Sequence, residues 1–223
     1  MRFSIKIPPP ATMKAGKEDY HSLAAGTELH RIHPGAFGAT QFNDSDRGNA
    51  RFSPIRDARG DIIPTIYAAQ SFACAACEII LRCPDTPPRI RTSVAPREIV
   101  HPSDYRSHAH SHVRTTQDLS LVSITSTGQR KIGVNGNALL AGPKSTYPIT
   151  RNWAERIHAV CPSAQGLYYL SYQYGPEFAV VLFADRVPGD ILEALSTRSV
   201  ADPDCHHELQ TIADAFSIDY ENV

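Results

Sequence analysis

Residues 51–82, RFSPIRDARGDIIPTIYAAQSFACAACEIILR, decide how the rest of this chain is interpreted. Between Ile62 and Leu81, Glu78 is the only side chain that is ionised at neutral pH. Removing a carboxylate from water is costly unless hydrogen bonds or a cation compensate. In so apolar a segment, we interpret Glu78 as a carboxylate that lines a cleft and has an arginine as its partner.

The same stretch predicts a turn, a strand and a helix in succession. Asp57–Gly60 begins with Asp and ends with Gly, as many β-turns do. The β-branched and aromatic residues of Ile62–Ala69 favour a strand, with Pro64 at its start or at a sheet edge. Ser71 is a suitable N-cap for a helix over Phe72–Arg82. This helix is apolar on nearly all sides, which is typical of a buried helix.

Elsewhere the pattern predicts strands in the middle of the chain and helices between and after them, so the fold class is α+β. Residues 1–27 are expected to be an extended lead-in with a short helix near Tyr20. Strands are predicted at Glu28–His33, Leu119–Thr125, Lys131–Val134, Leu167–Gln173 and Phe178–Phe183; helices at Arg151–Val160 after a Thr150 cap, Gly189–Leu195 and Cys205–Phe216; and loops at Pro34–Asn49 and Pro84–Arg97.

Composition narrows the classes of protein to consider. The chain has 223 residues, and its 22 Lys and Arg against 23 Asp and Glu give a net charge of −1. This balance offers no electrostatic reason to expect binding to nucleic acid or to an anionic membrane. The first residues lack the apolar run of a signal peptide, and no stretch is suited to spanning a bilayer. We therefore expect a soluble, cytoplasmic protein with reduced thiols, since its five cysteines are an odd number.

Two groups of residues invite a metal or redox interpretation. Cys74-Ala-Ala-Cys77 lacks a second Cys or His pair at zinc-binding spacing, so small thiols packed in a buried helix are the favoured explanation. His108, His110 and His112 alternate, and in a strand they would share one face suited to a transition metal. A solvated loop is the favoured interpretation of this segment, and no metal is expected.

Several pieces of the chain occur in an order that resembles one family. Arg51-Phe-Ser53, then Tyr67 in Ile-Tyr-Ala-Ala, then Glu78 eleven residues later, resemble the core of the RES-domain family, which is named for an arginine, a glutamate and a serine. Leu29-His-Arg-Ile32 resembles the opening strand of that family. Gly166–Ser171, followed by Phe-Ala-Val-Val-Leu-Phe, resembles the segment that holds its serine.

This resemblance, which covers about residues 29–183, implies both a fold and a domain organisation. The family includes bacterial toxins that consume NAD, with a fold similar to ADP-ribosyltransferases of the diphtheria-toxin type. We therefore expect a mixed β core with flanking helices. A single RES domain would occupy residues 1–223, with its core at about 28–185, a lead-in at 1–27 and a helical extension at 186–223.

The resemblance also implies roles for individual residues. Glu78 would be the catalytic carboxylate that stabilises an oxocarbenium-like ribose. Arg51 and Arg31 would bind phosphate or orient Glu78. Tyr67 would stack against nicotinamide or close the pocket, and Ser171 would hydrogen-bond the nicotinamide-ribose end.

The implied reaction is cleavage of the nicotinamide–ribose bond of NAD, by an NAD glycohydrolase or an NAD phosphorylase. One carboxylate suits it, because nicotinamide leaves as a neutral group from a cation and needs no general acid, unlike the leaving oxygen of ordinary glycosides. ADP-ribosyl transfer to a protein and a catalytically silent nucleotide-binding module stay open as alternatives. The toxins of this family imply a helix-turn-helix (Xre-type) antitoxin as partner, and a homo-oligomer is compatible with the sequence.

Overall fold

This computed structural model describes residues 6–82 and 98–221, which contain twelve β-strands and five α-helices joined by loops and short 3₁₀ turns. The strands are β1 (Tyr20–Leu23), β2 (Glu28–Pro34), β3 (Ile55–Arg56), β4 (Ile62–Ile63), β5 (Thr65–Ala69), β6 (Ile99–Val100), β7 (His108–Thr115), β8 (Leu119–Ser123), β9 (Gly166–Leu170), β10 (Phe178–Phe183), β11 (Leu192–Ser199) and β12 (Asp219–Tyr220). The helices are α1 (Phe72–Ile79), α2 (Ser126–Lys131), α3 (Ala138–Ala141), α4 (Tyr147–Val160) and α5 (Pro203–Ala215).

Eight of these strands form one mixed sheet in the order β1-β8-β9-β10-β5-β2-β7-β11. Neighbouring strands are antiparallel, except that β8 and β9 run parallel. The helices lie between and after the strands, which confirms the predicted α+β class. Among the described residues, no helix is both long and apolar enough to cross a bilayer.

The centre of the sheet is buried on both faces, as strand β10 illustrates. Val181 and Phe183 project into the larger hydrophobic core, which also contains residues of α1, α4 and α5. Val180 and Leu182 project into a smaller core on the opposite face. Side chains of a strand alternate between faces, so a continuous apolar run such as Phe178–Phe183 fits a strand that is covered on both sides.

Helix α1 begins where the sequence predicts. The Ser71 side chain caps it by accepting a hydrogen bond from the Cys74 amide at 3.1 Å. The same hydroxyl donates to the Glu177 carboxylate at 2.5 Å, which ties the start of α1 to the segment between β9 and β10. The helix ends at Ile79, earlier than the predicted Arg82. Glu78 therefore lies in the last turn of a helix that is anchored at its beginning.

The sheet is nearly interrupted between β2 and β5. These two strands share a single paired position, His30 opposite Ala69, whereas β2 pairs with β7 along its whole length from Glu28 to Pro34. The sheet therefore opens at its middle, and at the other end of β5 the Thr65 backbone pairs with Asn43 of the loop after β2 instead of with β2.

Two predicted elements have the wrong type. Lys131–Val134 is not a strand, because the Thr125 side chain accepts a hydrogen bond from the Gly128 amide and starts helix α2. Gly189–Leu195 is not a helix, because Leu192–Ser199 pairs with β7 as strand β11 at the edge of the sheet. Tertiary pairing overrides weak helical propensity in that segment.

Other predictions need smaller corrections. The segment near Tyr20 is strand β1 rather than a short helix. The predicted Ile62–Ala69 strand is divided at Pro64 into β4 and β5, since proline has no N–H to donate to a ladder. Thr150 lies inside α4 rather than capping it. The predicted loop Pro84–Arg97 lies outside the described residues.

Candidate active site

A cleft of about 1270 Å³ opens where β2 and β5 separate. Its walls come from β2, β5, α1, the loop that follows β2, and the segment that joins α3 to α4. Pockets for small molecules usually measure roughly 300–1,000 Å³. The cleft therefore has room for a ligand as large as a dinucleotide.

Basic side chains outnumber acidic ones among the described residues that line this cleft. Among the described residues that line it, Glu78 is the only acidic one. The basic lining residues are Arg31, Arg47, Arg51, Arg82 and Lys144. A concave site lined mainly by one sign of charge attracts ligands of the opposite sign, so this cleft suits an anionic ligand although the whole chain is nearly neutral.

Glu78 is held by a serine. The Ser171 hydroxyl donates a hydrogen bond of 2.5 Å to Oε1 of Glu78. Ser171 Oγ in turn accepts hydrogen bonds from the amides of Gln173 at 3.2 Å and Tyr174 at 2.9 Å. Ser171 is buried at 5 % exposure, and its own amide donates to the Glu177 carbonyl at 2.8 Å. This arrangement fixes the position of one carboxylate oxygen, and no side chain or backbone group of the described residues hydrogen-bonds to the other.

Among the described residues, neither Arg51 nor Arg31 forms an ion pair with Glu78, and the predicted arginine partner stays a prediction. Arg51 Nη1 donates to the carbonyls of Leu139 at 3.2 Å and Gly142 at 3.0 Å. Its guanidinium also lies over the Tyr147 ring, 4.8 Å from the ring centroid. Arg51 thus joins its own loop to the α3–α4 wall of the cleft.

The Arg31 side chain is held by hydrogen bonds to the loop that follows β2. Its Nη1 donates to the carbonyls of Gly38, Ala39 and Gln41 at 3.1, 2.7 and 3.3 Å. Burial lowers the pKa of Arg31 to about 10, which still leaves it charged at neutral pH. Its Nε atom is buried and has no hydrogen-bond partner among the described residues. Arg31 therefore shapes the loop after β2 and contributes a positive charge to the cleft that this loop borders.

Two tyrosines connect the arginine side of the cleft to the glutamate side. Tyr67 lies on β5, and its hydroxyl accepts a hydrogen bond from the Phe52 amide at 3.0 Å. Burial raises the pKa of Tyr67 to about 12, so this hydroxyl stays neutral. Burial and then the nearby Glu78 carboxylate raise the pKa of Tyr169 well above its usual value. Its ring meets Phe52 edge-on at 5.7 Å.

The structure brings the predicted residues together in one place. Arg31, Arg51, Tyr67 and Glu78 all line the cleft, and Ser171 reaches it through Glu78. Sequence reasoning missed Tyr169 and Tyr147, which line the same cleft. Tyr169 stands two residues before Ser171, so strand alternation could have placed both side chains on one face.

In the part of the chain that the structure describes, neither the Cys74–Cys77 pair nor the His108–His112 segment belongs to a group of three or more side chains that could hold a metal ion. Cys74 and Cys77 are buried in α1, and burial raises the pKa of both thiols to about 12. The segment predicted as a solvated histidine loop belongs to strand β7, where His108, His110 and His112 share one face.

The family model described as "RES domain" matches residues 28–211 of this chain. The chain belongs to the RES-domain family. Its structure is similar to a chain in the crystal structure of the M. tuberculosis MbcT–MbcA toxin–antitoxin complex, with a TM-score of 0.57 and 13% sequence identity. The likeness covers 85% of this RES-domain chain and 92% of that chain, and at this identity it shows a shared fold. No curated protein matches the sequence.

The histidines near the cleft predict how stability depends on pH. Burial and the nearby Arg31 charge lower the pKa of His33 from 6.5 to about 4, and burial with Arg198 lowers that of His110 to about 3. Both are neutral in the folded state and would gain protons on unfolding below pH 6.5, so their stabilising contribution is complete above that pH and is lost as the pH falls toward 4. We expect the denaturant midpoint to fall between pH 6.5 and pH 4.

The matched measurement is urea unfolding across that pH range. His33→Gln removes one buried titrating ring and should flatten the profile, whereas His207→Gln, at an exposed position of α5, should leave it unchanged. An equally steep profile in His33→Gln would contradict the assignment of His33 as a buried neutral histidine.

Proposed function

We propose that this RES-domain protein degrades NAD by cleaving its nicotinamide–ribose bond, and that it acts as the toxin of a toxin–antitoxin pair. The observation that carries the proposal is one fixed carboxylate, Glu78, in a large cleft whose other charged lining residues, within residues 6–82 and 98–221, are basic. NAD matches this arrangement because it combines an anionic pyrophosphate with a cationic nicotinamide ribose.

The proposed chemistry follows from the charge that develops during bond cleavage. As the bond to nicotinamide lengthens, the ribose gains positive charge while nicotinamide becomes neutral. A preorganised carboxylate stabilises that charge more strongly than it stabilises the ground state. With Oε1 held by Ser171, the second oxygen of Glu78 is the group that faces the ribose.

The remaining lining residues divide between the two ends of the dinucleotide. Arg51 and Arg31, together with Arg82 near the end of α1, offer positive charge to the pyrophosphate. Tyr67 and Tyr169 flank the region between Arg51 and Glu78 and supply aromatic surface for nicotinamide. The acceptor of the ADP-ribosyl group, whether water, inorganic phosphate or a protein side chain, is to be identified from the product.

Membership of the RES family supports the toxin assignment, and so does the fold shared with a chain from a toxin–antitoxin complex. On this basis we propose a helix-turn-helix antitoxin of the Xre type as partner and the cytoplasm as the place of action. We also propose that the chain is a single RES domain, without metal in its reaction, in an ADP-ribosyltransferase-like arrangement.

Expression of the protein without a partner should lower cellular NAD and stop growth. The comparison is between wild-type protein and Glu78→Gln at equal soluble levels, with NAD measured by an enzymatic cycling assay. Loss of NAD before growth stops, seen only with the wild type, is the expected result. Normal growth with unchanged NAD at verified soluble expression would contradict the toxin assignment.

A further inference from the structure

Three histidine rings stack beside the cleft on the face of the sheet that α1 covers. His30 on β2 stacks on His112 at 4.4 Å with 5° between the ring planes, and on His110 at 5.2 Å with 12°. His30 Nδ1 and His110 Nε2 are 3.0 Å apart, which is a hydrogen bond. His30 also lines the cleft, whereas His110 is buried behind it.

The direction of this hydrogen bond is determined by an arginine. Arg198 on β11 donates from Nε to Nδ1 of His110 at 3.1 Å. Because an arginine is always a donor, His110 Nδ1 must be unprotonated. The proton of neutral His110 then resides on Nε2, which donates to His30 Nδ1. Neutral His30 therefore carries its proton on Nε2.

Arg198 itself is held from two sides. Its two terminal nitrogens each donate to a carboxylate oxygen of Glu208 on α5 at 2.8 Å. Its guanidinium also lies over the ring of Phe72, 5.0 Å from the centroid, and Phe72 contacts His110 at 4.5 Å between ring centroids. The first member of the chain from Arg198 to His110 to His30 thus has little freedom to turn away.

We propose that His30 contacts the ligand as a neutral donor whose Nε2–H is fixed in place by the Arg198–His110 pair. Within residues 6–82 and 98–221, Nε2 of His30 has no hydrogen-bond partner, and the ring borders the cleft. The group it would bind is an oxygen acceptor, either a phosphate oxygen or a ribose hydroxyl. This inference rests on the proposed NAD-degrading function and adds Arg198 and His110 as positioning residues.

The surrounding charges favour the neutral form of His30. Burial, then His112 and Arg198, lower the pKa of His30, while Glu28 opposes them. Glu28 lies 3.0 Å from His112 Nε2 on the outer side of the stack, and Glu208 is occupied by Arg198. A proton added to Nδ1 of His30 would face the Nε2–H of His110, so protonation would require the hydrogen-bonded chain to break.

The first test is the tautomeric state of the rings, read from ¹⁵N chemical shifts of histidine-labelled protein with NAD added to Glu78→Gln. We expect His30 and His110 to be neutral with protons on Nε2, and the His30 Nε2 signal to shift when NAD binds. In His110→Phe, which keeps a ring but removes the donor, His30 should become a mixture of tautomers.

The second test is steady-state nicotinamide release by the otherwise wild-type protein. Loss of one hydrogen bond to a ligand predicts that kcat/KM falls about 10-fold in His30→Phe, mostly through KM, with a smaller loss in His110→Phe. His30→Gln places an amide donor near the same position and should recover part of the loss. His112→Phe is the control, because it keeps a ring in the stack and His112 is not part of the hydrogen-bonded chain. We expect no change in KM for this variant.

The outcomes separate this inference from the proposed function. Normal nicotinamide release with an unchanged His30 signal, or with an unchanged KM in His30→Phe, would overturn the ligand contact and leave the function standing. A proton on Nδ1 of His30 in the free protein would overturn the fixed-donor arrangement whatever the substrate. Absence of both NAD binding and NAD turnover would reject the proposed function and, with it, the proposed contact.

Discussion

Replacing Glu78 by glutamine is expected to slow nicotinamide release by roughly 10²-fold or more, the usual loss when one preorganised group is removed from a site. Glutamine keeps the shape of the side chain and can still accept the Ser171 hydrogen bond. It removes the negative charge that would face the developing ribosyl cation. NAD should still bind, because the ground state needs that charge less than the transition state does.

The measurement combines nicotinamide release with calorimetric binding of NAD and a thermal melt. Glu193→Gln is the matched control, since Glu193 lies on the edge strand β11, pairs with Arg114 of β7 and does not line the cleft. Near-wild-type turnover in Glu78→Gln would dismiss Glu78 as the catalytic carboxylate. An equal collapse of binding, turnover and melting temperature would make its role structural.

Replacing Ser171 by alanine is expected to lower both turnover and stability. The substitution removes the acceptor of the Gln173 and Tyr174 amides, which are only partly buried, and the net loss of one such hydrogen bond costs about 0.5–1.5 kcal/mol. It also frees Glu78 to leave its position, so we expect kcat to fall about 10-fold. Steady-state kinetics and urea unfolding measure the two losses separately.

A double-mutant cycle tests whether Ser171 acts through Glu78. If the serine only positions the carboxylate, then Ser171→Ala should slow the Glu78→Gln protein much less than it slows the wild type. Equal fold-losses in both backgrounds would show that Ser171 contributes to the reaction independently of Glu78. Ser171→Thr keeps a hydroxyl and should retain more activity than the alanine variant.

The local parts of this structure were predictable because they depend on neighbouring residues. Ser71 caps α1 through an amide three residues away, and the apolar surroundings of Glu78 follow from the helical repeat. The strand β10 was equally clear, since six consecutive apolar residues fit a strand that is buried on both faces. The division of the Ile62–Ala69 strand at Pro64 is consistent with the missing N–H of proline.

The parts that depend on distant contacts were not predictable in the same way. Glu78 and Ser171 are 93 residues apart, and nothing in either segment indicates that a serine rather than an arginine holds the carboxylate. The histidines of β7 appear polar in isolation, yet pairing with β2 and β11 places them beneath α1. Strand β11 likewise forms because β7 offers it a partner.

The most direct test of the central claim is nicotinamide release from NAD by purified protein, with the fate of the ADP-ribosyl group followed by mass spectrometry in water and in phosphate buffer. The proposed mechanism predicts many turnovers by the wild type, a product in which the acceptor is joined to the ribose, and at least a roughly 10²-fold slower reaction in Glu78→Gln. Intact NAD after prolonged incubation, under conditions in which calorimetry shows it to be bound, would contradict it.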